Sequence, residues 1–358
     1  MKRYLILTIN PGSTSTKIAL FRNLKSVFLK SLYHSLDALG KYKRIGDQYE
    51  YRKDMIIKEL EETHLQIDDI SAVVGRGGLI KPVKSGTYEI NDAMLKDLKE
   101  GRLGEHASNL GGLIAYDIAA TLPQARAFIA DPVVVDEMED VARIAGHPDF
   151  ERISIFHALN HKAIARSHAK TIDRYYEDLN LIIAHLGGGI SVGAHKKGRV
   201  IDVNNALDGD GPFSPERSGS LPVGQLIKMC FSEQYTFDEM DNMIKGKGGL
   251  VAYLNTNDAY EVELKVRAGD KKAKCIQEAL CYQVAKEIGS MSAVLEGQVD
   301  AIILTGGIAH NPLVVDYIRS KVRFIAPVAI YPGEDEMHAL AENGLRVLKG
   351  ETKPLQYE

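Results

Sequence analysis

The sequence predicts a two-domain α/β protein in which one strand–glycine turn–strand design is used twice. Three observations carry that prediction. The 358 residues, 45% of them hydrophobic, exceed what one ordinary core organises and suffice for two. Tyr4–Ile9 and Leu181–Ala184 are short apolar runs, each closed by a glycine-containing turn and followed by a second strand pattern. Between and after them, further short strand patterns alternate with helical periodicity, the arrangement expected of sheets flanked by helices.

In chain order, Tyr4–Ile9 closes on Asn10-Pro11-Gly12 and Lys17–Phe21 resumes the strand pattern, which reads as a hairpin. Residues 54–67 carry helical periodicity through Met55, Ile56 and Leu60. Ala72–Val74 is a buried strand ending in Gly75-Arg76-Gly77-Gly78. Residues 108–122 form an apolar helix, and Ala127–Ala130 a strand ending in Asp131-Pro132. The second half repeats the hairpin: Leu181–Ala184, the turn His185-Leu186-Gly187-Gly188-Gly189, then Ile190–Ala194. A third glycine turn, Thr305-Gly306-Gly307, follows Ala301–Leu304, with Asn311-Pro312 opening a helix. The two hairpins share design and few residues. The domains are expected to span 1–153 and 154–336, with 337–358 packing back on the first.

Composition removes several classes of function. Lys+Arg 44 against Asp+Glu 48 leaves no basic excess for general nucleic-acid binding. The longest apolar runs fall far short of the roughly 20 residues a membrane span needs. The opening MKRYLILTINPG has too short an apolar core for a signal peptide, and no small-residue cleavage site follows it. Cys230, Cys275 and Cys281 show no CxxC spacing and cannot all pair, so reduced thiols in a cytoplasm are expected.

Glycine turns after strands expose backbone N–H groups and bind phosphate. The chain lacks GxxxxGK[ST] but has three such turns. Asn10 through Lys17 offers an amide, four hydroxyls and a lysine, more hydrogen-bonding groups than a hairpin tip needs, which favours a phosphoryl contact. Arg76 and Arg217 sit beside glycines; each is either a solvated charge or a guanidinium able to approach a small anion closely. His157 and His161 lie four apart on one helix face, but Ala158 supplies no general base, so H-E-x-x-H zinc chemistry is not expected. Asp131 at a strand end suits Mg²⁺. Glu334, Asp335 and Glu336 offer either a metal ligand or a helix N-terminal charge bias.

The set N-P-G-S-T-S-T-K at 10–17, V-G-R-G-G at 74–78, Asp131-Pro132, H-A-L-N-H at 157–161, H-L-G-G-G at 185–189, E-R-S-G at 216–219 and T-G-G-I at 305–308 resembles the acetate kinase family, in its order, from about residue 4 to 348. The likeness is strongest to the shorter branch of that family, which acts on butyrate. The resemblance implies two duplicated actin/hexokinase-like (ribonuclease H-like) domains, each a mixed five-stranded sheet with flanking helices, and an active-site cleft between them. It implies ATP-dependent phosphorylation of butyrate to butyryl phosphate, with ATP/ADP and Mg²⁺. By the same resemblance Asn10, Arg76 and Arg217 hold the phosphoryl and the carboxylate, His157 stabilises phosphoryl oxygens in flight, and Asp131 positions Mg²⁺. The metal-linked carboxylate falls on Asp335, with Glu336 one place along. Ser13, Thr14, Lys17, His185, Gly187, Gly188 and Gly189 match the ATP-phosphate contacts, Gly306, Gly307 and Asn311 the adenosine segment, and Gly78 and Phe156 the acyl pocket. The family commonly forms homo-oligomers, expected here too, with no nucleic-acid or membrane partner.

This chain has Gly77, Gly78 and Leu79 where acetate kinases carry two valines and a histidine. Gly78 is therefore expected to open the acyl pocket, each extra buried methylene contributing about 0.8 kcal/mol. Kinases for isobutyrate, propionate or acetate remain alternatives. A sugar kinase would need an Asp general base and leave the arginines without an anionic acceptor. An actin-like or Hsp70-like assembly protein would share the ATP site without acid-dependent ADP production.

Overall fold

The computed structural model describes residues 3–63, 65–101 and 104–358. The chain divides into two units, Met1–Val135 with Asp335–Glu358, and Asp136–Glu334.

The first unit is built on β1 (Leu5–Pro11), β2 (Ser15–Arg22), β3 (Lys25–Tyr33), β4 (Ile70–Arg76), β5 (Thr87–Glu89) and β6 (Arg126–Ala130). They form one mixed sheet in the order β3-β2-β1-β4-β6-β5. β1, β2 and β3 are an antiparallel meander, and β1, β4 and β6 run parallel. All seven residues of β1 are buried, as a central strand covered on both faces requires. The sheet has six strands where five were expected, because Thr87–Glu89 pairs antiparallel with β6. That strand is too short to show a period of two. The helices Asn109–Ala120 and Glu336–Leu348 pack against β1 and β4, so the C-terminal helix completes this unit's core. The helix expected over 54–67 is Tyr49–Glu61.

The second unit contains β7 (Asn180–Leu186), β8 (Ile190–Lys196), β9 (Arg199–Val203), β10 (Ala301–Gly306) and β11 (Val328–Pro332). Their order is β11-β10-β7-β8-β9. It repeats the first sheet's meander, with two strands then added in parallel beside its first strand. One face packs under the helix Lys271–Val294 through Ile182, Val192, Val284 and Ile288; Leu181, Ile183 and Ile303 on the other meet Ala165 of the helix Ala158–Thr171.

The segment 136–153 joins the second unit, ahead of the boundary drawn after 153. Glu139 N–H donates to Ile201 O at 3.0 Å, Arg152 pairs with Asp202 at 2.9 Å, and Glu137 with the buried Lys162 at 2.6 Å. Among the described residues no helix is long and apolar enough to cross a membrane.

Candidate active site

In the first unit, the parallel register that sets Ile9 opposite Gly75 brings Asn10 and Arg76 to the same strand ends. Asn10 Nδ2 donates to Glu336 Oε2 at 2.5 Å. Arg76 Nη1 pairs with the same oxygen at 3.1 Å and donates to Asn10 Oδ1 at 3.3 Å. An amide, a guanidinium and a carboxylate from positions 10, 76 and 336 therefore meet in one cluster. Asp335 has a different job: it is the N-cap of the C-terminal helix and accepts from His338 N–H at 3.0 Å. Of the two carboxylates that the sequence left undecided, Glu336 stands beside the arginine.

The turn after β1 is held from below by Arg52, a residue the motif reading missed. Its guanidinium is almost wholly buried and donates to the carbonyls of Gly12, Ser13 and Ser15 and to Thr16 Oγ1, at 2.8–3.3 Å. Gln48 Oε1 receives its remaining bonds. Burial pushes the Arg52 pKa down, yet a guanidinium stays charged in proteins. Burial and the Arg52 charge together lower His34 to about 4, so the imidazole bonded to Thr16 Oγ1 at 2.9 Å is neutral. With its carbonyls tied inward, the tip leaves Ser13, Thr14 and Lys17 exposed. The signal for Arg52 was readable: with Ile56 and Leu60 it marks one buried stripe at intervals of four.

Asp131 follows β6, whose Ala130 lies opposite Arg76 in the sheet. Its φ of +38° is unusual for a residue with a side chain. The carboxylate stabilises that backbone, accepting from Ser85 Oγ at 2.6 Å and Gly86 N–H at 2.8 Å. Gly78 does not open a pocket. A Cβ placed there would lie 2.5 Å from the Asn109 Cα, so glycine is needed for close packing on the helix start. The acyl-pocket reasoning from Gly78 is corrected accordingly.

In the second unit, His157 is the N-cap residue of the helix Ala158–Thr171. Its ring stacks on His185, centroids 3.8 Å apart, and its Nδ1 faces Ser191 Oγ at 2.9 Å. His185 Nδ1 meets Asn160 Oδ1 at 2.9 Å, and its Nε2 lies 3.5 Å from Glu334. Phe156 is buried and edge-on to His161. His161 is fully buried beneath His157, and burial drives it well below the usual histidine range, so it is neutral.

Arg217 lies across Gly189, where any Cβ would overlap Nη1. That nitrogen donates to Ala206 O. Nε is buried and has no hydrogen-bond partner, and among the described residues no carboxylate pairs with this arginine. Burial lowers its pKa. Ser214 Oγ ties the turn to the arginine loop, donating to Gly188 O at 2.7 Å and accepting from Arg217 N–H at 3.2 Å. Gly187 N–H donates to Gly189 O at 3.1 Å, closing the turn. Gly306, at φ +90°, and Gly333 exchange backbone hydrogen bonds, and Gly307 begins the short turn that follows. Asn311 caps the helix Pro312–Val322 through Leu313 N–H and donates to Gln277, so its amide is committed to the fold.

The expected residues thus gather in two sets: Asn10, Arg76 and Glu336, with Asp131 on the neighbouring strand end, in the first unit; His157, His185, Arg217 and the 187–189 turn in the second. Cations, amide groups and imidazoles of this kind stabilise phosphoryl oxygens. Among the described residues no group of three His, Cys, Asp or Glu forms a protein-only metal cage. The oxygen donors of Glu336 and Asp131 fit a hard cation that completes its shell with water and phosphate.

The Acetokinase family model matches residues 152–331. The sequence is similar to butyrate kinase 2 of Clostridium acetobutylicum, 59% identical over 356 residues, which covers 99% of this chain and 100% of that one. Among solved structures, the fold is similar to an acetate kinase of Porphyromonas gingivalis, with TM-score 0.79 and 19% identity over 96% of this chain and 100% of that one. It is also similar to a propionate kinase of Francisella tularensis, with TM-score 0.74 and 21% identity over 95% and 98%.

Proposed function

We propose, from the premise that this chain belongs to the acetokinase family, that it is a carboxylate kinase interconverting butyrate and ATP with butyryl phosphate and ADP. The observation that carries this reading is the full-length likeness to the Clostridium butyrate kinase. A carboxylate oxygen attacks the γ-phosphorus in line, the bond to the β,γ-bridging oxygen breaks, and ADP leaves with that electron pair. Carboxylate is already a nucleophile, so no general base is needed. The barrier is the approach of two anions, which positioned cations and N–H dipoles lower.

In this reading Arg76, Arg217 and Asn10 hold the phosphoryl and the carboxylate. His157 donates to an equatorial phosphoryl oxygen. Ser13, Thr14, Lys17, His185 and the Gly187–Gly189 turn bind the ATP phosphates, and Gly306, Gly307 and Asn311 border the adenosine. Glu336 and Asp131 would hold Mg²⁺, which supplies charge neutralisation to the phosphate oxygens. Homo-oligomerisation and a cytoplasmic setting belong to the same reading, the former tested by sedimentation velocity.

Purified protein incubated with ATP, MgCl₂ and hydroxylamine tests the reaction against a panel of C2–C6 acids, branched ones included. Acyl hydroxamate peaking at butyrate is the expected result. A maximum at acetate or propionate keeps the chemistry and rejects the substrate. No hydroxamate with any acid rejects carboxylate kinase chemistry.

A further inference from the structure

Behind His157 runs a line of buried polar groups that the reaction as described does not use. Ser191 Oγ stands 2.9 Å from His157 Nδ1 and 3.0 Å from His161 Nε2. His161 Nδ1 stands 3.1 Å from His195 Nε2, and His195 Nδ1 2.6 Å from the Tyr176 hydroxyl. Ser191, His161 and His195 are fully buried and Tyr176 nearly so. The fold makes the line: His157 and His161 are one helical turn apart, and Ser191 and His195 point to one face of β8.

Proton arithmetic allows this line only two states in which the Ser191 proton is used within it. Burial keeps His161 and His195 neutral, so each ring has one N–H and one bare nitrogen. The hydroxyl of Ser191 carries one proton between two ring nitrogens. With that proton donated to one of the two rings, each link fixes the next, and either all the protons point toward His157 or all point toward Tyr176. The phenol decides, because its proton is far more acidic than a neutral imidazole N–H. The 2.6 Å contact to His195 is the shortest link, as expected of an O–H donor.

We propose that Tyr176, His195, His161 and Ser191 form a one-way hydrogen-bond relay that fixes His157 as its Nε2–H tautomer. Tyr176 O–H donates to His195 Nδ1, His195 Nε2–H to His161 Nδ1, His161 Nε2–H to Ser191 Oγ, and Ser191 O–H to His157 Nδ1. These four are positioning residues. Resting on the reading of His157 as a phosphoryl contact, the relay gives the transferring group an N–H donor in place of a lone pair that would repel it.

Long-range ¹H–¹⁵N correlation spectra of the whole enzyme, labelled with [¹⁵N]histidine and assigned with single variants, read the tautomers directly. The wild type should show His157, His161 and His195 all as Nε2–H. Tyr176→Phe and Ser191→Ala should each populate the Nδ1–H form of His157. They should lower kcat by roughly 10–100-fold, the loss typical when a group orienting a functional histidine is removed, with KM for ATP and acid changed by less than about twofold. A purely structural role would lower the melting temperature without moving the His157 tautomer. An Nδ1–H His157 in the wild type overturns the relay, and so does an unchanged tautomer in Ser191→Ala, even if Tyr176→Phe fails to fold. Correct tautomers in an enzyme that makes no hydroxamate would overturn the assigned reaction and leave the relay standing.

Discussion

Arg76 and Arg217 are alike in sequence, each set beside glycine at the end of a short motif, but the two units hold them in opposite electrostatic states. Arg76 is paired with Glu336 and shares that carboxylate with Asn10. Arg217 is half-buried against Gly189 and bonded to one carbonyl, with Nε unpartnered; the neighbouring Glu216 acts on it through charge alone, and among the described residues no carboxylate pairs with it. A paired guanidinium has part of its charge already answered. An unpaired, desolvated one exerts nearly its whole field on an arriving anion. Residue type and motif therefore do not rank two cations; the neighbouring carboxylates do.

The sharpest test is to remove each arginine. Arg217→Ala should cost about 10³-fold in kcat, about 4 kcal/mol, and Arg76→Ala roughly tenfold less, both read by hydroxamate or coupled ADP kinetics. Equal losses would erase the contrast between the two units. On the first unit alone, Arg52→Met should remove about 3 kcal/mol of stability in urea unfolding, because several loop carbonyls lose a buried donor at once. A loss under about 0.5 kcal/mol would show that the turn before Ser13 and Thr14 holds itself.

The second unit has its own uncompensated charge. Glu287 is raised to about 7, first by burial and then by Asp210, with Arg152 opposing. The folded protein holds that proton more tightly than the unfolded chain, so its stabilisation is present below pH 4.5 and is lost as pH rises through 7. Glu287→Gln should therefore stabilise the protein by about 3 kcal/mol at pH 8.5, converging with the wild type near pH 4.5, in thermal melts at both pH values. The finest test is a double variant. With Arg76 already alanine, adding Glu336→Gln should recover about tenfold of kcat, near 1.4 kcal/mol, if the carboxylate acts mainly as a countercharge. A further loss would assign Glu336 chiefly to the metal.

What was legible in the sequence was whatever local pattern determines. The two hairpins, the strand before Arg76 and the amphipathic C-terminal helix all lie where period and turn residues put them. What was not legible depended on distant partners. Thr87–Glu89 is a strand only because β6 offers an edge. Nothing in Glu334-Asp335-Glu336 says which carboxylate caps the helix and which meets an arginine 260 positions earlier. Gly78 looked like a missing side chain in a pocket wall, whereas it is the point where a loop touches the Asn109 backbone. His161 was seen only as His157's neighbour on the helix; its partners come from β8 and Tyr176.

The return of the C-terminal helix to the first unit has a consequence for how the protein is made. A ribosome adding roughly 5–20 residues per second releases Arg76 about 13–52 s before Glu336. During that interval β1 and β4 lack the helix that covers them, and Arg76 lacks its counterion. The second unit, continuous from Asp136 to Glu334, is complete before the first can close. The half that is translated first is thus the last to mature, and its arginine meets Glu336 only after the whole second unit has been made.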